Sequence, residues 1–334
     1  MIVLGIDTSC DDTSVAVLDG ATVRSNIVSS QVALHSLFGG VVPEIASRKH
    51  AELIDGICRQ ALQEAGIALR NVDVLAVTMG PGLIGSVLVG LCFAKGLSLS
   101  ASLPLVGVNH VEAHAMSIFL ERDVEFPLVS LVVSGGHTML LLFSGPCSFR
   151  VIGSTRDDAA GEAFDKIAKY LGLGYPGGRR IEELACSGRV DAVAFPRPLE
   201  EEKSYDFSYS GLKTSFINYV KKYGITDDNK RDILASFQEA ACDVLASKTV
   251  RAAEELGVPR VVVGGGVAAN GRLREIFGER CSARGIAVFI PSAALCADNA
   301  AMVAMTGSFY ADRGSFSAPD VKAFSRMRWS LGPC

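Results

Sequence analysis

The chain lays out one plan twice, and that duplication restricts its architecture more than any other feature. Residues 2–19 read as an apolar strand, a polar turn Asp7-Thr8-Ser9-Cys10-Asp11-Asp12-Thr13, and a second apolar strand that closes at Asp19-Gly20. Two apolar runs around a short polar turn predict a β-hairpin. Residues 128–145 repeat the plan with the turn Ser134-Gly135-Gly136-His137-Thr138 and an end at Ser144-Gly145-Pro146. A second unit also recurs, as an apolar strand, a glycine turn and a helix: 72–78 lead into Gly80-Pro81-Gly82, and 260–263 into Gly264-Gly265-Gly266 with a helix from about Asn270. The glycine turns are further apart than the hairpin turns, so the second copy carries an insertion, expected within 155–215. These repeats predict an α/β protein of two lobes, residues 1–126 and 127–296, with a C-terminal helix over 297–325 packing back on the first. The turns of both lobes are expected to line one cleft.

Composition agrees with two packed cores. Of 334 residues 49% are hydrophobic and 20% charged, which excludes a disordered chain. The stretch 82–94 is the most apolar. It falls short of the roughly 20 residues that cross a bilayer, so it is expected to be a buried helix rather than a membrane span. Met1 runs straight into a strand broken by Asp7, which predicts no export signal and a cytoplasmic location. Nine cysteines, odd in number and without a C-x-x-C pair, are expected to be reduced. A net charge of -4 offers no general attraction to nucleic acid. Local basic groups, Arg48-Lys49-His50, Arg179-Arg180, Lys221-Lys222, Arg272 with Arg274, and Arg326 with Arg328, read individually as solvated surface.

The chemistry concentrates in a few places. His110 and His114 stand one helical turn apart, the spacing that puts two imidazoles on one face within reach of a shared metal. A zinc protease needs glutamate directly after the first histidine; here Val111 stands there and Glu112 turns off that face. Asp298, after the strand-like run 288–291, is the leading third ligand, against the simpler role of helix N-cap. Ser134-Gly135-Gly136 has the composition of a backbone anion nest, and Gly264-Gly265-Gly266 before Asn270 that of a phosphate cradle. Asp157 and Asp158 read as caps of the helix that follows. Asp165, deeper in that helix, could accept hydrogen bonds from ribose or substrate hydroxyls.

Taken in order, G-I-D-T-S-C-D-D-T (5–13), G-G-V-V-P-E (39–44), G-P-G-L-I-G (80–85), H-V-E-A-H (110–114), S-G-G-H-T (134–138), D-D-A-A-G-E-A-F-D-K, G-Y-P-G-G, F-S-Y-S-G-L-K-T, G-G-G-V-A-A-N and C-A-D-N closely resemble the tRNA threonylcarbamoyladenosine transferase family, called TsaD in bacteria. The match runs nearly end to end. It implies the two-lobed fold of actin, Hsp70 and sugar kinases, in agreement with the duplication. It also implies metal ligation by His110, His114 and Asp298, and substrate contacts from Val132, Val133, Ser134, Gly135, Gly136, Asp165, Gly178 and Asn270. His137 points to the bacterial and mitochondrial branch. Three positions depart from the usual pattern: Asp12 stands for glutamate, Tyr209 for phenylalanine, and Arg179 follows Gly178 where proline is common.

The implied reaction moves a threonylcarbamoyl group from threonylcarbamoyl-AMP to N6 of the adenosine beside the anticodon, in tRNAs reading codons that begin with A. Asp11 or Glu44 would take the amine proton. The resemblance implies one divalent metal, iron over zinc, and as partners tRNA, TsaB and TsaE, with a homodimer allowed. Competing readings are a kinase or ATPase of the same fold, a carbamoyltransferase with another acceptor, and a non-catalytic scaffold. The histidine pair speaks against the first, and H-x-x-x-H together with D-N against the last.

Overall fold

The computed structural model describes residues 1–326, so Arg328 and Cys334 lie outside the described residues. Packing divides them into two units: Met1–Val124 with the chain from Ala297 onward, and Glu125–Cys296.

In the first unit the predicted hairpin is β1 (Ile2–Asp7) and β2 (Asp12–Asp19), paired antiparallel from Ile2 opposite Asp19 to Asp7 opposite Ser14. A third strand, β3 (Thr22–Ser30), extends the hairpin, and β4 (Val74–Gly80) and β5 (Leu105–Asn109) add in parallel on the other side of β1. The resulting order is β3-β2-β1-β4-β5. β1 and β2 are buried at nearly every position because helices cover both faces. Leu4, Ile6, Val15 and Val17 pack with Ile54, Cys58 and Ala61 of the helix Pro43–Glu64 and with Leu91 and Ala94 of Ile84–Ala101. Val3, Leu18, Val74, Ala76 and Val108 face Met302–Met305 of the helix Ala300–Ala311. Gly5 allows that helix to close on the sheet: a Cβ there would strike the Ala300 carbonyl.

Two expectations change here. The C-terminal helix covers only Ala300–Ala311, and 312–326 are not helical. The apolar helix Ile84–Ala101 is buried on one face only. Ile84, Leu88 and Leu99 are exposed, and it is long and apolar enough to cross a membrane by composition.

The second unit repeats the wiring. β6 (Leu128–Val133) and β7 (Thr138–Gly145) form the hairpin, β8 (Ser148–Ser154) extends it, and β9 (Arg260–Gly264) and β10 (Ala287–Phe289) add in parallel. The order β10-β9-β6-β7-β8 is that of the first sheet read backwards. Between β8 and β9 lie the helices Ala160–Tyr170, Gly177–Ala185, Ser210–Tyr223 and the long, mostly buried Lys230–Glu255. Asp157 and Asp158 do not cap the helix that follows them. The Asp157 carboxylate accepts the backbone N–H groups of Tyr209 and Ser210 at 2.7 and 3.2 Å, serving the start of Ser210–Tyr223, while Asp158 pairs with Lys166 and Lys213. No disulfide joins the described cysteines.

Candidate metal centre

β5 ends at Asn109, whose side-chain oxygen accepts the backbone N–H groups of Val111 and Glu112 at 2.9 and 3.4 Å. That cap starts the short helix His110–Met116 directly at the first histidine, so His110 and His114 stack one turn apart, ring centroids 4.6 Å and planes at 72°. At the start of Ala300–Ala311 the capping role falls to Asn299, whose side chain accepts the Met302 N–H at 3.1 Å. Asp298, the alternative cap, turns to the histidines instead: its Oδ1 lies 3.1 Å from His114 Nε2 and 3.7 Å from His110 Nε2. One donor atom from each of the three residues falls within 4.8 Å of the others.

The donor set fits a divalent metal. His114 is wholly buried, yet its Nδ1 has no hydrogen-bond partner, and its Nε2 faces the Asp298 carboxylate without hydrogen-bond geometry. A buried imidazole in that position is poorly compensated unless its lone pair is used. Two imidazoles and a carboxylate are the borderline donors that first-row divalent cations take.

Electrostatics point the same way. Asp7, at the end of β1 and buried, places Oδ2 3.5 Å from His110 Nδ1 and also accepts the Ser9 N–H at 3.0 Å. A carboxylate behind a ligand histidine orients the ring and raises its basicity. Burial disfavours the His110 cation, but Asp298 and Asp7 outweigh it and push the group up to about 9. Burial, with Asp298 adding repulsion, raises the Asp11 carboxyl above its ordinary range. Asp12 is pushed up to about 7 by burial first and then by the same neighbouring charges, Asp298, Asp11 and Asp7. The excess negative charge in this turn is what a cation would neutralise. Glu112 stays off the ligand face: its Oε2 accepts the Tyr310 hydroxyl at 3.0 Å, and burial lifts its carboxyl to about 7.

Asp11 and Glu44 are placed very differently. Asp11 is partly buried in the turn between β1 and β2, whereas Glu44 is exposed and accepts Arg48 at 2.7 Å in an i,i+4 pair. In the second unit, Val132 and Val133 are fully buried within β6 and have only backbone to offer a ligand. Ser134 closes its turn by donating its N–H to the His137 carbonyl at 2.8 Å, with its hydroxyl accepting the His137 N–H at 3.1 Å. Gly135 and Gly136 face open space, and the Gly161 N–H donates to the Ser134 carbonyl at 3.2 Å. Gly265, at φ +94°, brings its turn against β6 so closely that a Cβ would meet the Val133 carbonyl. Asp165 accepts the Gly177 N–H at 2.7 Å, so it holds the start of the helix in which Gly178 is second. Asn270 uses its amide within the protein, accepting the Leu273 N–H at 3.0 Å and donating to Gln238 at 2.8 Å. Sequence reasoning did not single out Asp7 as the partner of His110; its signal was a carboxylate ending an apolar strand, in a turn whose carboxylates and hydroxyls suit a phosphate or metal-water contact as well as ordinary turn chemistry.

Residues 22–305 match the family model described as TsaD, tRNA N6-adenosine threonylcarbamoyltransferase. A protein of that description from Geobacter metallireducens is 53% identical over 334 residues, covering 99% of this chain and 97% of its own. The chain belongs to this family. A second member, from Geotalea uraniireducens, is 51% identical over 326 residues, covering 97% of this chain and 95% of its own. Among solved structures, the family fold is similar to HypF of T. kodakarensis, with a TM-score of 0.66 at 15% identity over 93% of this chain and 48% of that one. It is also similar to component A of the Acidaminococcus fermentans (R)-2-hydroxyglutaryl-CoA dehydratase, with a TM-score of 0.56 at 17% identity over 94% and 99% of the two chains. At those identities the likeness speaks for the fold alone. It agrees with the two α/β lobes that the duplication predicts and with the actin-like fold that the family resemblance implies.

Proposed function

We propose that this family member transfers the threonylcarbamoyl group of threonylcarbamoyl-AMP to N6 of the adenosine beside the anticodon, in tRNAs reading codons that begin with A, releasing AMP. The observation that carries the reading is the convergence of His110, His114 and Asp298 in a chain of this family. These three would hold one divalent metal, iron over zinc as the family resemblance implies, since two histidines with one carboxylate serve either ion. When bound, it would supply Lewis-acid polarisation and charge neutralisation beside the mixed anhydride.

The chain's own groups do the rest. The adenosine amine is a weak nucleophile, so a base must take its proton as the new N–C bond forms and the C–O bond to AMP breaks, the electron pair leaving on phosphate. Asp11 suits this task better than Glu44, because its raised carboxyl is a stronger base and Glu44 is engaged with Arg48 in solvent. In the second unit, Gly135 and Gly136 offer backbone N–H groups to an anion, with Val132 and Val133 contributing backbone only. The start of Gly177–Ala185, including Gly178, suits phosphate, and Asp165 and Asn270 would contact the nucleoside. Recognition of tRNA with TsaB and TsaE, homodimerisation and a cytosolic location belong to the same proposal. A chain of net charge -4 is suited to sharing RNA binding with partners.

The test supplies the purified protein, with and without TsaB and TsaE, with threonylcarbamoyl-AMP and unmodified tRNA, and reads the nucleosides by mass. The modified adenosine is expected, and His110→Ala or His114→Ala should abolish it while the protein stays folded. Failure of every combination, or full transfer by both variants, would overturn the proposal.

A further inference from the structure

Behind the acidic turn lies a chain of buried hydrogen bonds that the proposed chemistry does not use. His50, on the helix Pro43–Glu64 and fully buried, places Nε2 3.0 Å from the Cys10 carbonyl and Nδ1 2.8 Å from the Thr13 hydroxyl. The Gln31 amide nitrogen stands 3.4 Å from both His50 Nδ1 and the Ala46 carbonyl, and its amide oxygen 3.3 Å from His35 Nε2. The Val42 N–H donates to His35 Nδ1 at 3.3 Å.

The bonds fix every proton. A backbone N–H can only donate, so His35 Nδ1 accepts and its Nε2 carries the hydrogen given to Gln31 Oε1. Gln31 Nε2 must then donate. A carbonyl can only accept, so His50 Nε2 is the donor to Cys10 and His50 Nδ1 accepts from Thr13. Both imidazoles are neutral and each has one allowed tautomer. Burial, which lowers the His50 pKa, agrees with that state.

The network matters for the residue it encloses. The peptide carbonyl before Asp11, that of Cys10, is held by His50, and the carbonyl of Asp11 itself accepts the Gln31 backbone N–H at 3.1 Å. Asp11 therefore sits between two clamped peptides, and the side chain of Gln31 links the two clamps. We propose that His50 is a positioning residue, whose Nε2–H donation to the Cys10 carbonyl aims the Asp11 carboxylate for proton transfer. This rests on the reading of Asp11 as the base.

Two partial mimics separate the bonds. Glutamine can place an amide N–H where His50 has Nε2, and asparagine can place a polar atom only where it has Nδ1. His50→Ala, His50→Gln and His50→Asn are assayed with the partners, threonylcarbamoyl-AMP and tRNA for kcat and KM, and for thermal unfolding and bound metal. A misaimed base costs on the order of a hundredfold, so His50→Ala and His50→Asn should each lose about that much kcat with KM for tRNA and metal content unchanged. His50→Gln should recover most of it. Wild-type kcat in His50→Ala overturns the inference, as does a loss in all three variants that follows their unfolding temperatures with no recovery by glutamine. Failure of the wild-type protein itself to modify tRNA would instead overturn the proposed function, and full activity in Asp11→Asn would remove the base.

Discussion

Asp7 Oδ2 lies 3.5 Å from His110 Nδ1, joining the last residue of β1 to the residue that directly follows β5, two strands separated by β4 in the sheet. The contact works because Nδ1 and Nε2 of one ring point in opposite directions: one faces Asp7, and the other faces Asp298 at 3.7 Å. Asp7 thus stands behind the nitrogen opposite the one that faces Asp298, the position from which a carboxylate would orient a ligand histidine.

Asp7→Asn keeps the shape and removes the charge behind the ring. Partners of this kind change metal affinity by about 10- to 100-fold. The expected outcome is a weakening of that size in competition with a chelator, with the unfolding temperature little changed. Equal retention of metal by the variant and the wild-type chain would show that Asp7 does not support His110.

This contact illustrates how far the sequence could be read. Both hairpins and both glycine turns were legible because they are local: apolar runs around small or polar residues leave few alternatives. The His110 and His114 pair was legible for the same reason, as helical spacing alone places it. Neighbours from distant parts of the chain were not. Asp298 and Asn299 are equally good caps on paper, and only the seating of Ala300–Ala311 against the sheet decides that Asn299 caps and Asp298 faces the histidines. The stretch 82–94 reads as a buried helix from composition, yet Ile84 and Leu88 within it, and Leu99 beyond it, are exposed, because composition does not record which face of a helix meets the sheet.

Asp11 and Glu44 separate by substitution. Glu44→Gln removes an exposed pair with Arg48, whose two side chains are about three-quarters accessible, so stability should change by less than about 0.5 kcal/mol and transfer should persist. Asp11→Asn should lower kcat by about 10² to 10⁴, the usual worth of a positioned base. Single-turnover transfer rates for the two variants check this; a larger loss in Glu44→Gln than in Asp11→Asn would reverse the assignment.

Gly265 is required twice over. Its φ of +94° is a conformation L side chains rarely adopt, and a Cβ would meet the Val133 carbonyl of β6. Gly265→Ala should destabilise the chain by about 1–3 kcal/mol, seen as a lower urea midpoint. An unchanged midpoint would mean that the turn relaxes without consequence.

Lys248 provides a stability change whose direction with pH is determined. It is nearly inaccessible, and its ammonium donates to the Ser204 carbonyl at 2.9 Å. Burial first, and then the Arg251 charge, lower its pKa to about 8 from an ordinary 10.5. The unfolded chain keeps the proton up to its ordinary pKa, so between about 8 and 10.5 the unfolded state binds more protons and this group's contribution becomes more favourable as pH rises. Below about 8 both states are protonated and the cost of burying the ammonium is fully present. Lys248→Met carries no titrating group. The stability of the wild-type chain relative to this variant should therefore be flat below about 8 and should climb as pH rises through 8 toward 10.5, whatever their difference at neutral pH. Urea unfolding of both proteins at neutral and alkaline pH measures it; a relative stability that stays flat or falls across that interval would show that Lys248 keeps its proton in the folded state.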